Sequence, residues 1–283
     1  MLRNTNELEN YSIGAVDGHI GHVKDCYFDD QAWVIRYFVV DTGTWLSSRK
    51  VLISPVAVGH PNWAEKIIPM VITKQQVKDS PHINTDKPVS RQHEREFLGY
   101  YGYPNYWGGP GLWEGGIYPN MPLPSYKEFV STRPAVHAVN AETGTSETEH
   151  NDPHLRSCKE VMGYHIHAVD GEIGHVQGLL VDEVTWAIRY IVVDTSNWWL
   201  GHKVLVAPKW IQAVSWSDST VTVQMSRESI RSAPPYDGGT VMDRVSETRL
   251  HEHHGTPGYW VSEMEHEAAR SRKSSPPSSL PRV

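Results

Sequence analysis

Histidine is the side chain here best suited to proton or metal chemistry near neutral pH, and 16 of the 283 residues are histidine. The run His251-Glu-His253-His254 places three imidazoles within four residues, the densest candidate for a metal. His165 and His167 alternate along one chain segment, so in a strand both rings leave the same face, a spacing zinc accepts. His22 and His175 each follow an Ile-Gly pair, with no carboxylate or second histidine at a spacing that favours a metal. Arg36 and Arg189 lie inside the most apolar stretches. A buried guanidinium needs a carboxylate, which Asp17 or Asp29 could supply, a structural more than a catalytic arrangement. No Gly-rich phosphate loop, paired-carboxylate spacing or Gly-x-Ser-x-Gly elbow is present. The reading is therefore no catalytic residue, no cofactor and no resident metal. His165, His167, His251, His253 and His254 are kept as subordinate metal candidates.

The elements that position these residues are written twice. Tyr11-Ser-Ile-Gly-Ala-Val-Asp-Gly-His-Ile-Gly-His-Val returns at Tyr164 as Tyr-His-Ile-His-Ala-Val-Asp-Gly-Glu-Ile-Gly-His-Val. A shift of 153 residues aligns Met1–Trp107 with His154–Trp260 without a gap and gives 35 identities over 107 positions. Each unit is a whole domain with a C-terminal arm, too long for a solenoid repeat. The same shift sets His251–His254 on Leu98-Gly-Tyr-Tyr101, so the histidines stand where the first unit has largely apolar and aromatic residues, a packing or surface role.

Asp17-Gly18 and Asp170-Gly171 are hairpin turns, followed by strands at Ile20–Phe28 and Ile173–Val181. Trp33–Val40 and Trp186–Val193 are apolar on both faces, which predicts a strand covered on both sides. Lys50–Ser54, Val56–Val58 and Ile67–Ile72 supply further strands, and Thr73-Lys-Gln-Gln76 opens a short helix with a capping box. Some six short strands per unit suggest a small closed barrel. Ser90 and Asp243 are N-caps of arm helices, and each arm closes on Gly-x-Pro-x-Tyr-Trp.

A formal net charge of −7 and a pI near 6.1 argue against a protein that grips a phosphate backbone, so nucleic acid is a disfavoured partner. Cys26 and Cys158 fall on Leu179 and Thr5 of the other copy, which reads as two reduced thiols. The sequence has neither an apolar leader core nor an 18-residue apolar run. The expectation is a cytoplasmic chain without a transmembrane segment.

The Val-Asp-Gly-Glu-Ile-Gly-His-Val segment, the apolar strand ending Val-Val-Asp and Lys203-Val-Leu-Val-Ala-Pro208 resemble the PRC-barrel domain. That domain occurs in the cytoplasmic part of the photosynthetic reaction-centre H subunit and at the C-terminus of a ribosome maturation factor. The arrangement resembles bacterial proteins carrying two such barrels. The resemblance implies a six-stranded docking module without chemistry of its own. The expected fold is mainly β: two six-stranded PRC-type barrels in tandem, each with a short helical arm. The boundaries are 1–81 for barrel one, 82–107 for its arm and 108–153 for a Gly/Pro/aromatic then polar linker. Barrel two spans 154–234, its arm 235–260, and 261–283 is a disordered tail.

The expected function is an interaction scaffold for an unknown protein partner, its barrels packed within one chain or exchanged in a homodimer. A peripheral factor of a photosynthetic or electron-transfer membrane complex is the first alternative, and a histidine-based metal protein or enzyme the second. The interaction residues expected are Trp45 and Trp198-Trp199 in the rim loops, with Trp107, Tyr259 and Trp260 in the arms. The sister barrel is the favoured neighbour of the rim tryptophans.

Overall fold

The computed structural model describes residues 1–81, 89–107, 111–113, 116–119, 154–195, 202–238 and 242–274. In the first unit, β1 (Leu2–Asn4) and α1 (Thr5–Leu8) lead into the hairpin of β2 (Ser12–Ala15) and β3 (Gly18–Asp29). The unit continues with β4 (Val34–Asp41), β5 (Lys50–Ile53), β6 (Ile67–Pro69), α2 (Lys74–Lys78) and α3 (Arg91–Tyr101). The second contains β7 (Leu155–Ser157), β8 (His165–Ala168), β9 (Gly171–Asp182), β10 (Ile188–Asp194), β11 (Lys203–Val206), β12 (Ile211–Ser215) and β13 (Thr220–Val223). Its helices are α4 (Arg227–Arg231), α5 (Arg244–His253) and α6 (Tyr259–Ser274).

The chain is mainly β, in two sheets. One runs β5-β4-β3-β2-β6 and the other β11-β10-β9-β8-β13-β12. Long β3 and β9 turn through bulges, at Val23/Asp25 and Tyr27/Phe28 in β3, which bend a strand and raise its twist. The hydrogen-bonded order does not close among the described residues, unlike the closed barrel expected. In the first unit the cause is local. Pro55 has no N–H to give a ladder, Ser54 Oγ caps the next turn, and Pro55–Ala57 coils into a 3-10 helix. Only the bridge Val58↔Met70 remains where a strand was expected.

The two sheets exchange their first strands. β1 pairs with β9 of the second unit, and β7 pairs with β3 of the first. The same operation repeats in side chains: Arg3 pairs with Glu183 at 2.9 Å, and Arg156 with Asp30 at 2.8 Å. It repeats again in the backbone, where Ile35 N–H donates to the Trp186 carbonyl and Ile188 N–H to that of Trp33. Trp33 (φ 54°) and Trp186 (φ 61°) both occupy the left-handed region, uncommon for a residue with a bulky side chain. The pseudo-twofold junction thus holds a strained residue on each side. Trp186, 2% exposed, inserts edge-on against Phe38 of the other unit.

Every residue of β4 from Val34 to Val40 is buried, as its two apolar faces predict. One cover is α3, whose Phe97 meets Tyr37 edge-on at 5.3 Å. The helix starts on Ser90, whose hydroxyl accepts from His93 N–H, and stops at Gly102 with φ 68°. Asp243 caps α5 in the same manner, and Thr73 with Gln76 forms the capping box of α2. Residues 261–274, expected to be disordered, instead continue helix α6 from Tyr259. Its run of Glu, Met, Ala and Arg has high helix propensity, and its first turns are tied down by Tyr259 and Glu263. Residues 275–283 lie outside the described residues, as does most of the linker.

Candidate interaction sites

Arg36 stands on β4 with 2% of its surface exposed. Its Nη2 donates to Asp29 Oδ2 at 3.3 Å and its Nη1 to the Leu112 carbonyl at 2.6 Å. The guanidinium lies between two rings, Tyr106 at 4.0 Å and Trp113 at 4.6 Å. Burial pushes the arginine pKa down, and the Asp29 carboxylate opposes that shift. Of the two carboxylates the sequence offered, Asp29 is the partner. Asp17 accepts from Lys74 N–H instead. Trp113 completes this seat by donating its indole N–H to the Thr185 carbonyl, in a turn of the other unit, at 2.9 Å.

Behind Tyr106 a single buried carboxylate gathers several partners. Glu94, fully buried, accepts from the Tyr106 hydroxyl, faces His154 Nε2 at 2.7 Å and reaches Arg91 at 3.4 Å. Burial, then the Glu94 charge, raises the Tyr106 phenol well above its usual range, so it stays protonated as a donor. The second unit repeats the design. Glu247 accepts from Tyr190 at 3.1 Å and Tyr259 at 2.9 Å and pairs with Arg244 at 3.0 Å. Arg189 lies over the Tyr259 ring at 3.8 Å, pairs with Glu263 at 2.6 Å and donates to Thr185 Oγ1 at 3.1 Å. The sequence reading did not single out Tyr37, Arg91, Glu94 and their counterparts. The signal was present, because Arg91/Arg244, Glu94/Glu247 and Tyr37/Tyr190 are identities under the repeat shift.

What covers each arginine differs. Beside Arg189 lies a cleft of about 450 Å³ lined by Asp30, Gln31, Ala32, Trp33, Leu112, Pro208, Lys209, His251 and Tyr259 among others. Under the repeat operation, Arg189 corresponds to Arg36 and Ala32 to Thr185. The cleft is therefore the counterpart of the place that Leu112 and Trp113 fill in the first unit.

The expected interaction residues divide. Trp107 packs edge-on against Tyr106 at 4.9 Å with Arg91 over it at 4.4 Å. Trp260 repeats that packing against Tyr259 at 5.1 Å, with Arg244 at 4.1 Å. The arms thus dock on the doubly apolar strand of their own unit, through its arginine. Trp45 donates to the Ile20 carbonyl and lies under Lys74 at 4.5 Å, both in its own unit rather than the sister unit. It edges a second cleft, of about 440 Å³, with His19, His22, Lys24 and Lys74. Trp198 and Trp199 lie outside the described residues.

The metal candidates do not converge. His165 pairs with Glu172 at 2.8 Å. His251 faces the Tyr190 hydroxyl at 3.1 Å and Trp210 edge-on, while His253 donates to the Ser229 carbonyl and His254 meets Ser229 Oγ. Burial holds His251 and His254 down at about 4, so both rings are neutral near pH 7. Among the described residues no group of three His, Cys, Asp or Glu is placed to hold a metal ion, and no helix is long and apolar enough to cross a membrane.

Comparison with known proteins agrees with the first unit. A stretch of this chain is 36% identical over 95 residues to an uncharacterised protein of Deinococcus radiodurans, covering 31% of this chain and 34% of the relative. The chain thus spans about a third of that relative's length. A sequence model of the PRC-barrel domain matches residues 5–79, from α1 to the end of α2. Residues 5–79 are thus similar to the PRC-barrel domain.

Proposed function

We propose that this chain is a non-enzymatic scaffold of two PRC-type barrels, and that its working surface is the cleft beside Arg189. The occupant we assign is a tryptophan carried on an extended segment of a partner protein. The PRC-barrel match supports an interaction module in general. One observation carries the specific reading: the chain's own Leu112–Trp113 segment already fills the equivalent place over Arg36. A half-apolar slot edged by Arg189 and Lys209 favours an indole, whose ring face attracts a guanidinium while its N–H takes a carbonyl. Lys209, exposed at the cleft rim, favours an acidic residue beside that tryptophan, and Glu114 follows Trp113 in the internal template.

The test is a synthetic peptide with the sequence of residues 108–117, titrated into the full-length protein by calorimetry. Saturable binding is expected. It should be lost when the peptide's tryptophan is replaced by alanine, and weakened tenfold or more by Ala32→Trp, which places an indole in the cleft. Equal binding of the alanine peptide, or indifference to Ala32→Trp, contradicts the assignment. The internal segment, tethered at high effective concentration, keeps the Arg36 place filled throughout.

A further inference from the structure

Cys26 and Cys158 are the only cysteines in the sequence, and they belong to different units. Strand exchange brings them together. Where β7 lies on β3, Tyr27 faces Ser157, and one step further Cys158 N–H donates to the Cys26 carbonyl at 2.8 Å. Cys26 N–H turns to Asp25 Oδ1, and residues opposed across an antiparallel ladder have Cα atoms roughly 4.5–5.5 Å apart with side chains on one face. A disulfide spans Cα separations of roughly 4.4–6.8 Å. Both thiols are free and only 3% exposed, and both line one small hollow with Asp25 and Lys159. A buried thiol alone behaves as a small inert hydrophobe. Here each thiol has the other as its cross-strand neighbour. In the second junction the same two positions hold Leu179 and Thr5.

We propose that Cys26 and Cys158 form a modification site: a thiol pair that a hydroperoxide such as hydrogen peroxide converts to a disulfide. The bond staples the first strand of the second unit onto the sheet of the first. In the first step one thiol loses its proton and its thiolate attacks the O–O bond. A sulfenic acid forms, and the departing hydroxide takes up the proton as water. The second thiol, deprotonated in turn, displaces hydroxide from the sulfenic sulfur, forming the S–S bond and a second water. Two thiols lose two electrons and one peroxide gains them. Burial raises both thiols well above their usual range. Thiolate is therefore scarce while β7 is seated, and oxidation waits on opening of this three-residue ladder.

The full-length protein is exposed to hydrogen peroxide under native conditions, denatured, alkylated and weighed. The expected product lacks two hydrogens, escapes alkylation at both cysteines and yields one proteolytic fragment joining them. Dithiothreitol should restore it. Its melting temperature should rise by several degrees, because the bond closes a long loop. Mild urea should accelerate the reaction by freeing β7. The double variant Cys26→Leu/Cys158→Thr copies the other junction, so it should fold and its melting temperature should ignore peroxide. Separate sulfinic acids, links between molecules, or full alkylation after native treatment would each overturn the proposal. So would a disulfide that forms only once the whole chain is unfolded.

Discussion

Arg36 and Arg189 occupy one position of the repeat, on β4 and β10, and their surroundings differ on one side only. Both lean on an arm tyrosine that is held in turn by a buried glutamate. That shared half answers the cost of burying a guanidinium, which needs a counter-charge, hydrogen bonds and polarisable faces at once. The other half differs. Asp29, Leu112 and Trp113 close over Arg36, whereas Glu263 reaches Arg189 and leaves a cleft of about 450 Å³ beside it. The two units share the part that carries an energetic penalty and differ in the part that faces outward. In our proposal the filled seat is the template for what the open one holds.

The deepest shared element gives the largest expected effect. Glu94→Ala strips the acceptor from Tyr106, His154 and Arg91 and should cost about 4 kcal/mol of stability in urea unfolding. Glu247→Ala should cost about 2 kcal/mol, because its partner Arg244 is half exposed and recovers water. Equal losses would mean the two clusters are not graded by solvent. Next comes the cover itself: Trp113→Ala should cost about 3 kcal/mol, since it removes a nearly buried indole from over Arg36. A loss under about 1 kcal/mol would show that the indole is not part of the folded core.

A smaller effect separates the units by pH. His251 is held at about 4 in the fold against an ordinary 6.5, so the unfolded chain binds the extra proton between those values. Stability present above pH 6.5 is therefore lost progressively as pH falls towards 4. His251→Leu, which copies Leu98 of the first unit, should flatten that part of the profile in thermal melts across the range. An unchanged slope would assign the titration elsewhere, His254 being the next group held near 4. Smallest of all, Lys209→Glu should alter stability by no more than about 0.5 kcal/mol while weakening the acidic peptide several-fold.

Much of this was legible in the sequence because it was written locally and twice. The Asp-Gly turns, the Thr73–Gln76 box, the Ser90 and Asp243 caps and the doubly buried strand each follow from a few neighbouring residues. That Arg36 needs a carboxylate, Asp17 or Asp29, followed from the rule that buried charge is compensated, and the fold selects Asp29. Strand exchange was not legible, since Leu2-Arg3-Asn4 reads the same whichever sheet accepts its hydrogen bonds. Nor was the left-handed turn at Trp33 and Trp186, because propensity argues against a bulky residue there and the paired backbone bonds across the junction hold it. The Leu112–Trp113 cover stood inside a Gly/Pro-rich linker with no periodicity to mark it. Helix α6 was missed by weighing its charged, Ser/Pro-ending composition over the helix formers that precede it.

The central claim, that one arginine seat is filled and the other receptive, is tested most directly by watching both guanidinium groups in one titration. Arg36 and Arg189 each bury an Nε–H without a protein hydrogen-bond partner, so each should give a distinct, protected ¹⁵N–¹H signal. On adding the residue 108–117 peptide, the Arg189 signal should move and saturate while the Arg36 signal stays fixed. Movement of Arg36 with Arg189 unmoved, or no movement of either, would contradict the account.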